Sequence, residues 1–150
     1  MTSDDTLSPV DALAQLAFLV HGVLERRATE ADLSISQMRL LGILRDREPT
    51  MNELGARMVL DKSSISGLVD RAERRGLVVR VPSSTDRRSV RVRMTDAGRE
   101  LTHRVERGFD ADVLALLAGI SPAEQSALVS GATALISAEA RARAALADAG

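Results

Sequence analysis

The sequence predicts a mainly α-helical fold with one small β-hairpin, arranged as a winged helix-turn-helix core flanked by N- and C-terminal helices. Apolar residues recur at three-and-four spacing over most of the chain, which is typical of amphipathic helices. Two short runs with β-type composition lie near the middle, separated by the polar segment 83–88. The chain has 150 residues, enough for one hydrophobic core, so a single domain over 1–150 is expected.

Two helices are expected near the N-terminus. The pair Ser8-Pro9 is a start signal, because serine is a preferred N-cap residue and proline fits the first helical position. The apolar spacing then continues up to a polar break at 29–35. The second helix is expected to follow Ser36 and to stop before Pro49.

The next two helices have clear capping signals. Thr50 and Glu53 have the spacing of a capping box at the start of a short helix. Asp61 is the cap candidate for a helix over 62–75. That helix should end at Gly76, since glycine is favoured just past a helix end.

The hairpin and the C-terminal helices follow. Residues 77–82 and 89–94 are rich in valine and are expected to be the two strands. Thr95 should cap a long helix over about 96–118. The run Ser121-Pro122-Ala123-Glu124 combines a capping box with an N-terminal proline and should start a last, alanine-rich helix.

Charge is distributed unevenly along the chain, although the net charge is only −1. Residues 57–93 hold ten basic and four acidic side chains, a net charge of +6, whereas 1–56 and 94–150 carry −4 and −3. This asymmetry favours one surface that meets an anion over an ordinary solvated helical face.

The sequence gives no support for several other classes of protein. There is no cysteine, which excludes structural disulfides and thiolate metal sites within these residues. No apolar run approaches the length of a membrane span and no signal peptide is evident, so a cytoplasmic protein without a membrane partner is expected. His21 and His103 are the only histidines, which makes a metal site improbable. No catalytic motif occurs, so we expect neither an enzyme nor a cofactor.

The helix over 62–75 is the strongest functional candidate. One narrow face is apolar, and the opposite face carries small residues near its start and arginines near its end: Ser63, Ser66, Gly67, Asp70, Arg71 and Arg74. A helix that enters the DNA major groove requires such a face, because small residues allow close approach and arginine reaches guanine or phosphate. The alternative is an ordinary surface helix. The basic hairpin downstream, which contains Arg87 and Arg88, favours a DNA-reading wing whose arginines enter the minor groove.

These residues also resemble a known family. The run from Val69 to Val78 reads VDRAERRGLV, followed by Asp86-Arg87-Arg88 and by Met94-Thr95-Asp96-Ala97-Gly98. It is similar to the D-R-L-E-x-x-G-L-V, D-x-R and L-T-x-x-G pattern of the MarR family of bacterial regulators. The resemblance covers about 36–105, with Ala72 and Met94 in place of the usual leucines.

The resemblance implies a homodimer held by the helices in 8–30 and 96–148. In such a dimer the DNA-binding lobe of each subunit, residues 36–95, would lie on one half of a pseudo-palindromic operator in double-stranded DNA. It also implies that Asp86 orients a wing arginine and that Arg88 takes the place of the minor-groove arginine. The complete set of expected DNA contacts is Lys62, Ser63, Ser64, Ser66, Gly67, Arg71, Arg74, Arg87 and Arg88.

The resemblance further implies a small anionic or phenolic effector, bound where the first, second and fifth helices meet the DNA-binding lobe. His21, Arg39 and Arg104 are the candidate contacts for that effector. The favoured function is therefore a sequence-specific, ligand-responsive transcriptional repressor. The alternative is a winged-helix protein-interaction module that does not bind an operator, and salt-sensitive binding to duplex DNA would separate the two.

Overall fold

The computed structural model describes residues 7–83 and 89–148. The chain divides into two compact units, of which the first extends to Ala111 and the second begins at Asp112. Within the described residues the elements are α1 (Pro9–Glu30), α2 (Ile35–Leu44), α3 (Met51–Met58), α4 (Lys62–Arg74), β1 (Val78–Pro82), β2 (Val90–Met94), α5 (Asp96–Leu117) and α6 (Pro122–Asp148). The predicted fold class, mainly helical with one antiparallel hairpin, is confirmed.

Most helix starts lie where the capping signals placed them. The Ser8 hydroxyl accepts a hydrogen bond from the Asp11 N–H, and Thr50 and Glu53 form the expected reciprocal capping box. The start of α2 was predicted wrongly. Its cap is Ser34 and not Ser36, because the Ser34 hydroxyl accepts from the Gln37 N–H while the Gln37 side chain accepts from the Ser34 N–H.

Close backbone contacts join the end of α4, the start of β1 and the start of α5. Gly76 follows the end of α4 with φ +69°, in the left-handed region where glycine is favoured. The Thr95 hydroxyl donates to the Gly76 carbonyl at 2.6 Å and accepts from the Gly98 N–H at 3.0 Å. A Cβ on Gly98 would lie 2.1 Å from the Leu77 carbonyl oxygen, so no side chain fits there.

The hydrophobic core of the first unit lies between α2, α3, α4 and the hairpin. Its buried apolar side chains are all non-aromatic: Leu33, Leu40, Leu41, Leu44, Leu54, Met58, Ile65, Leu68, Val69, Ala72, Leu77, Val78, Val92 and Met94. Phe18 takes no part in it, since 77% of that residue is exposed.

The hairpin is attached to the start of α3. β1 and β2 pair in antiparallel register, with Arg80 opposite Val92 and Val81 opposite Arg91. On the other side of β2, the Val92 N–H donates to the Pro49 carbonyl at 2.9 Å, and Thr50 forms a bridge to Arg91. The hairpin is therefore fixed to the same segment that caps α3.

The second unit contains the end of α5 and the whole of α6. Ser121 and Glu124 form the predicted capping box, with the Ser121 N–H 2.8 Å from the Glu124 carboxylate. The Gln125 amide donates to the Leu117 and Ile120 carbonyls and so covers the end of α5. Along 7–83 and 89–148 the helices are all too short or too polar to cross a membrane.

Candidate nucleic-acid interface

α4 is fixed in the first unit by one apolar face. Ile65, Leu68, Val69 and Ala72 are each at most 2% exposed, as the spacing of these residues predicts. The rest of the helix surface is open to solvent, with Lys62, Ser63, Ser64, Arg71 and Arg74 exposed and Ser66 and Gly67 half-buried.

The seven predicted contact residues on α4 therefore lie on one helix, outside the hydrophobic core. The three predicted residues of the wing, Asp86, Arg87 and Arg88, lie outside the described residues. Arg71 and Arg74 form no hydrogen bond or ion pair to the part of the chain that the structure describes, so their guanidinium groups are available to a partner.

The N-terminus of α4 is organised by Asp61. Its carboxylate accepts from the Ser64 N–H at 2.7 Å and from the Ser63 hydroxyl at 2.8 Å. The Ser64 N–H, followed by the Ser63 hydroxyl, holds the pKa of Asp61 below its ordinary value. Because the Ser63 hydrogen is already donated to Asp61, the Ser63 oxygen is left to accept a hydrogen bond from a partner.

Arg80 of β1 binds α4 through two carboxylates. Its guanidinium lies 2.7 Å from the Asp70 carboxylate and 2.5 Å from the Glu73 carboxylate. The Arg80 N–H also donates to Glu73 at 3.0 Å. These contacts join the first strand of the hairpin to the middle of α4 and set the position of the strand relative to the helix.

The same contacts change the charge of the surface. The Arg80 N–H, together with its guanidinium, holds the pKa of Glu73 below its ordinary value. Arg80 is therefore compensated by two carboxylates and adds no net positive charge to the interface. Sequence reasoning missed this role, although acidic residues three apart on α4 and an arginine in the next strand were a usable signal.

The three residues proposed for effector binding do not line one cavity within the described residues. His21 is exposed on α1 and lies 3.3 Å from Glu25. Arg39 donates to the Arg57 carbonyl at the end of α3, at 3.1 Å. Of the three candidates, only Arg104 lines the cleft of about 540 Å³ between α1 and α5. The grouping of all three around one effector stays a prediction, with Arg39 directed to α3 and His21 exposed on α1.

The cleft at Arg104 is lined by three arginines and three acidic residues. Arg27, Arg75 and Arg104 line it, and each forms an ion pair with a carboxylate of the same cleft: Glu30 at 2.7 Å, Asp32 at 3.8 Å and Glu100 at 3.2 Å respectively. Arg75, the C-cap of α4, donates to the Asp32 and Ala31 carbonyls in the turn after α1.

No cluster of three or more His, Asp or Glu side chains that could hold a metal ion occurs among the described residues.

Comparison with known proteins gives a consistent result. A sequence model described as MarR family matches residues 31–89. The regulator YkoM of Bacillus subtilis is 28% identical over 105 residues, covering 69% of this chain and 68% of that protein. The regulator PecS of Dickeya dadantii is 27% identical, with 64% and 60% covered. The repressor NicR of Pseudomonas putida is 32% identical, with 67% and 65% covered.

Solved structures share the fold. RV1404 from Mycobacterium tuberculosis superposes with a TM-score of 0.81 at 25% identity, over 92% of this chain and 97% of that one. MepR of Staphylococcus aureus, solved as a complex with DNA, superposes with a TM-score of 0.68 at 18% identity, over 88% and 97%.

Proposed function

We propose that this chain, a member of the MarR family of winged helix-turn-helix regulators, is a homodimeric transcriptional repressor. It binds a pseudo-palindromic operator through α4 and the wing, and a small anionic ligand releases it from DNA. The observation that carries the proposal is the outer face of α4, where exposed Ser63, Arg71 and Arg74 lie opposite a fully buried apolar face.

The chemistry of that face suits duplex DNA. Arg71 and Arg74 can donate to guanine or to phosphate, and the Ser63 oxygen can accept a hydrogen bond without keeping the helix away from the bases. Arg80 supports this function indirectly, since it fixes β1 and thereby the root of the wing against α4. MepR, which shares this fold, was solved as a complex with DNA, and this supports DNA binding as the function of the fold in this chain.

Exposed apolar side chains support a homodimer. In α1, Val10 and Phe18 are more than three-quarters exposed, and in α6 Ile136 and Leu146 are about as open. Large apolar side chains that remain exposed on a single chain mark surfaces that a partner covers. A second copy of the chain would cover them and would place two α4 helices on DNA, with half-site centres about 10 bp apart.

The cleft beside Arg104 supports a response to a ligand. Arg27, Arg75 and Arg104 would bind a small anion by exchanging their carboxylate partners in the cleft for it, and Leu77, Leu101 and Val105 supply apolar contacts. Because Arg75 is also the C-cap of α4, an anion bound there would contact the residue that joins α4 to the turn after α1. Ligand binding and the position of α4 would then be coupled.

DNA binding is tested by fluorescence anisotropy with a duplex selected from a random-sequence library and with an unselected duplex. We expect preference for the selected duplex and an affinity that falls steeply as salt rises. Salt-insensitive binding, or no binding to either duplex, would favour the protein-interaction module instead.

The dimer and its geometry are tested together. Light scattering should give twice the chain mass at micromolar concentration, and a footprint on the selected duplex should show two symmetrical half-sites. A monomer in solution contradicts the dimer, and a single unsymmetrical half-site contradicts the operator geometry.

The ligand response is tested with benzoate, a simple aromatic anion. Isothermal titration should detect binding to the free protein, and benzoate should displace the selected duplex. Arg104→Ala should weaken both effects while duplex affinity without benzoate stays unchanged. The exposed Arg107→Ala, on the same helix, is the matched control. Equal benzoate binding by the wild-type protein and Arg104→Ala contradicts the assignment of the cleft.

A further inference from the structure

Gly67 occupies a position where glycine does not help the helix that contains it. It lies in the interior of α4, which runs from Lys62 to Arg74. Glycine destabilises a helix interior relative to alanine, because it has more conformational freedom to lose on folding. A reason for glycine at this position must therefore come from packing or from a partner.

Packing does not supply the reason. A Cβ on Gly67 would have Arg71 Nη1 as its nearest neighbour, at 3.5 Å, which is an ordinary van der Waals contact with the end of a flexible side chain. Two other glycines show the contrast. A Cβ on Gly98 would lie 2.1 Å from the Leu77 carbonyl oxygen, and one on Gly55 would lie 3.1 Å from the Leu60 carbonyl oxygen. The folded chain thus requires glycine at 98, is tight at 55 and has room for alanine at 67.

The surroundings of Gly67 point to the partner. On the helix surface, Gly67 lies one turn after Ser63 and one turn before Arg71, in the middle of the face proposed to meet DNA. Side chains at this point of a recognition helix separate its backbone from the bases, and glycine allows the closest approach of backbone to a ligand. Neighbouring Ser66 is also small, and it too is only half-exposed.

We infer that Gly67 is a specificity-determining residue whose missing side chain lets the α4 backbone approach the edges of the bases in the major groove. The inference rests on the proposed operator binding. It concerns base edges and not phosphates, because Gly67 lies past the first turn of α4, where the helix has no unpaired N–H to offer a phosphate, and because phosphate contacts carry no sequence information. Removing the close approach should therefore reduce affinity for the operator much more than affinity for unrelated DNA.

The experiment compares Gly67→Ala with Gly42→Ala. Gly42 lies in α2, is exposed and has no atom within 4 Å of the position of a Cβ, so alanine fits there as well. Each variant is titrated against a duplex selected by the wild-type protein from a random-sequence library and against an unselected duplex at the same salt concentration. Thermal melts are recorded alongside.

We expect both alanine variants to melt roughly 2–4 °C above the wild-type protein, since each removes an unfavourable helical glycine. Gly67→Ala should lose on the order of tenfold or more in affinity for the selected duplex and stay within about twofold for the unselected one. Gly42→Ala should bind both duplexes as the wild-type protein does.

Two results would overturn the inference alone. If Gly67→Ala binds the selected duplex as tightly as the wild-type protein, no close approach occurs at residue 67, and operator binding itself stands. If Gly67→Ala melts below the wild-type protein, the fold requires this glycine and the partner is not the reason for it. A wild-type protein that prefers no duplex would instead remove the proposed function and the inference together.

Discussion

Arg80 Nη2 lies 2.7 Å from Asp70 Oδ1, and this contact joins the first strand of the wing to the recognition helix. We expect Arg80→Met to lower the free energy of unfolding by about 1 kcal/mol, because it removes charge-assisted hydrogen bonds at a partly exposed site and leaves Asp70 and Glu73 to repel each other. Urea unfolding measures the change. Arg93→Met, an exposed arginine on β2, should stay within about 0.5 kcal/mol of the wild-type protein.

Arg80→Met should also weaken binding to the selected duplex, because the root of the wing is no longer fixed to α4. Arg80→Lys keeps the charge and should recover part of the lost stability. Equal stability and equal duplex affinity in Arg80→Met and the wild-type protein would show that this contact positions nothing.

Glu73 gives the contact a dependence on pH. Its pKa in the folded protein lies below its ordinary value of 4.5, chiefly because of the Arg80 N–H, so its stabilising contribution is present above pH 4.5 and is lost as the pH falls through the folded pKa. The melting temperature of the wild-type protein should therefore exceed that of Glu73→Gln at pH 7, and this gap in melting temperature should close in acid. Glu100→Gln, which removes a surface ion pair to Arg104, should lower the melting temperature at pH 7 by less than Glu73→Gln does. A gap for Glu73→Gln that is the same at pH 7 and at pH 3 argues against this account.

Val59 is strained at the turn between α3 and α4. Its φ of 56° and ψ of 47° lie in the left-handed region, which is costly for a β-branched residue, and 85% of the residue is exposed. Val59→Gly should raise the free energy of unfolding by about 1 kcal/mol in urea unfolding, since little packing is lost. Val59→Ala keeps the Cβ and should gain less. A destabilised Val59→Gly would mean that the valine side chain contributes contacts that outweigh the strain.

Gly98 should be among the least replaceable residues of the chain. A Cβ at this position would lie 2.1 Å from the Leu77 carbonyl oxygen, far inside van der Waals contact, so Gly98→Ala must separate α5 from the start of β1. We expect a loss of about 3 kcal/mol or more in unfolding free energy. Alanine at Gly42, where there is space, should be neutral or stabilising. A small loss for Gly98→Ala would mean that α5 can shift away from the hairpin at little cost.

Arg88 and Arg74 should contribute to DNA binding in different ways. Arg88→Ala should weaken binding to the selected duplex by about 1–3 kcal/mol and lower the slope of log K against log salt by about one, with stability unchanged. Arg74→Ala should weaken binding by an amount that depends on the duplex sequence if it contacts a base, and uniformly if it contacts a phosphate. Titrations at several salt concentrations, with thermal melts, separate these cases. Wild-type affinity and salt slope in a folded Arg88→Ala would show that the hairpin does not read DNA.

Local signals predicted most of the fold. The caps Ser8, Thr50 and Asp61 act within three residues, so their spacing alone places the helix starts. The apolar face of α4 is equally local, because it depends only on helical periodicity. The start of α2 was missed because Ser34 and Ser36 are both plausible caps, and the choice depends on which one has glutamine three residues on.

Contacts between distant elements could not be predicted in the same way. The pairing of Arg80 with Asp70 and Glu73 requires β1 to turn back along α4, which depends on the turn at Gly76 and on the whole hairpin. The distances between Arg39 and Arg104 depend on how α2 and α5 pack. The family resemblance groups Arg39 with Arg104, but the two residues lie on separate helices and line different cavities.

The attachment of the hairpin has a consequence for solubility. An exposed strand edge can pair with a strand of another molecule and start aggregation. Here the Val92 N–H on the outer edge of β2 is taken by the Pro49 carbonyl, and the Arg80 N–H on the outer edge of β1 is taken by the Glu73 carboxylate. Pro82 at the end of β1 has no N–H to offer. A small two-stranded sheet that would otherwise be open on both sides thus presents few free donors to a second chain.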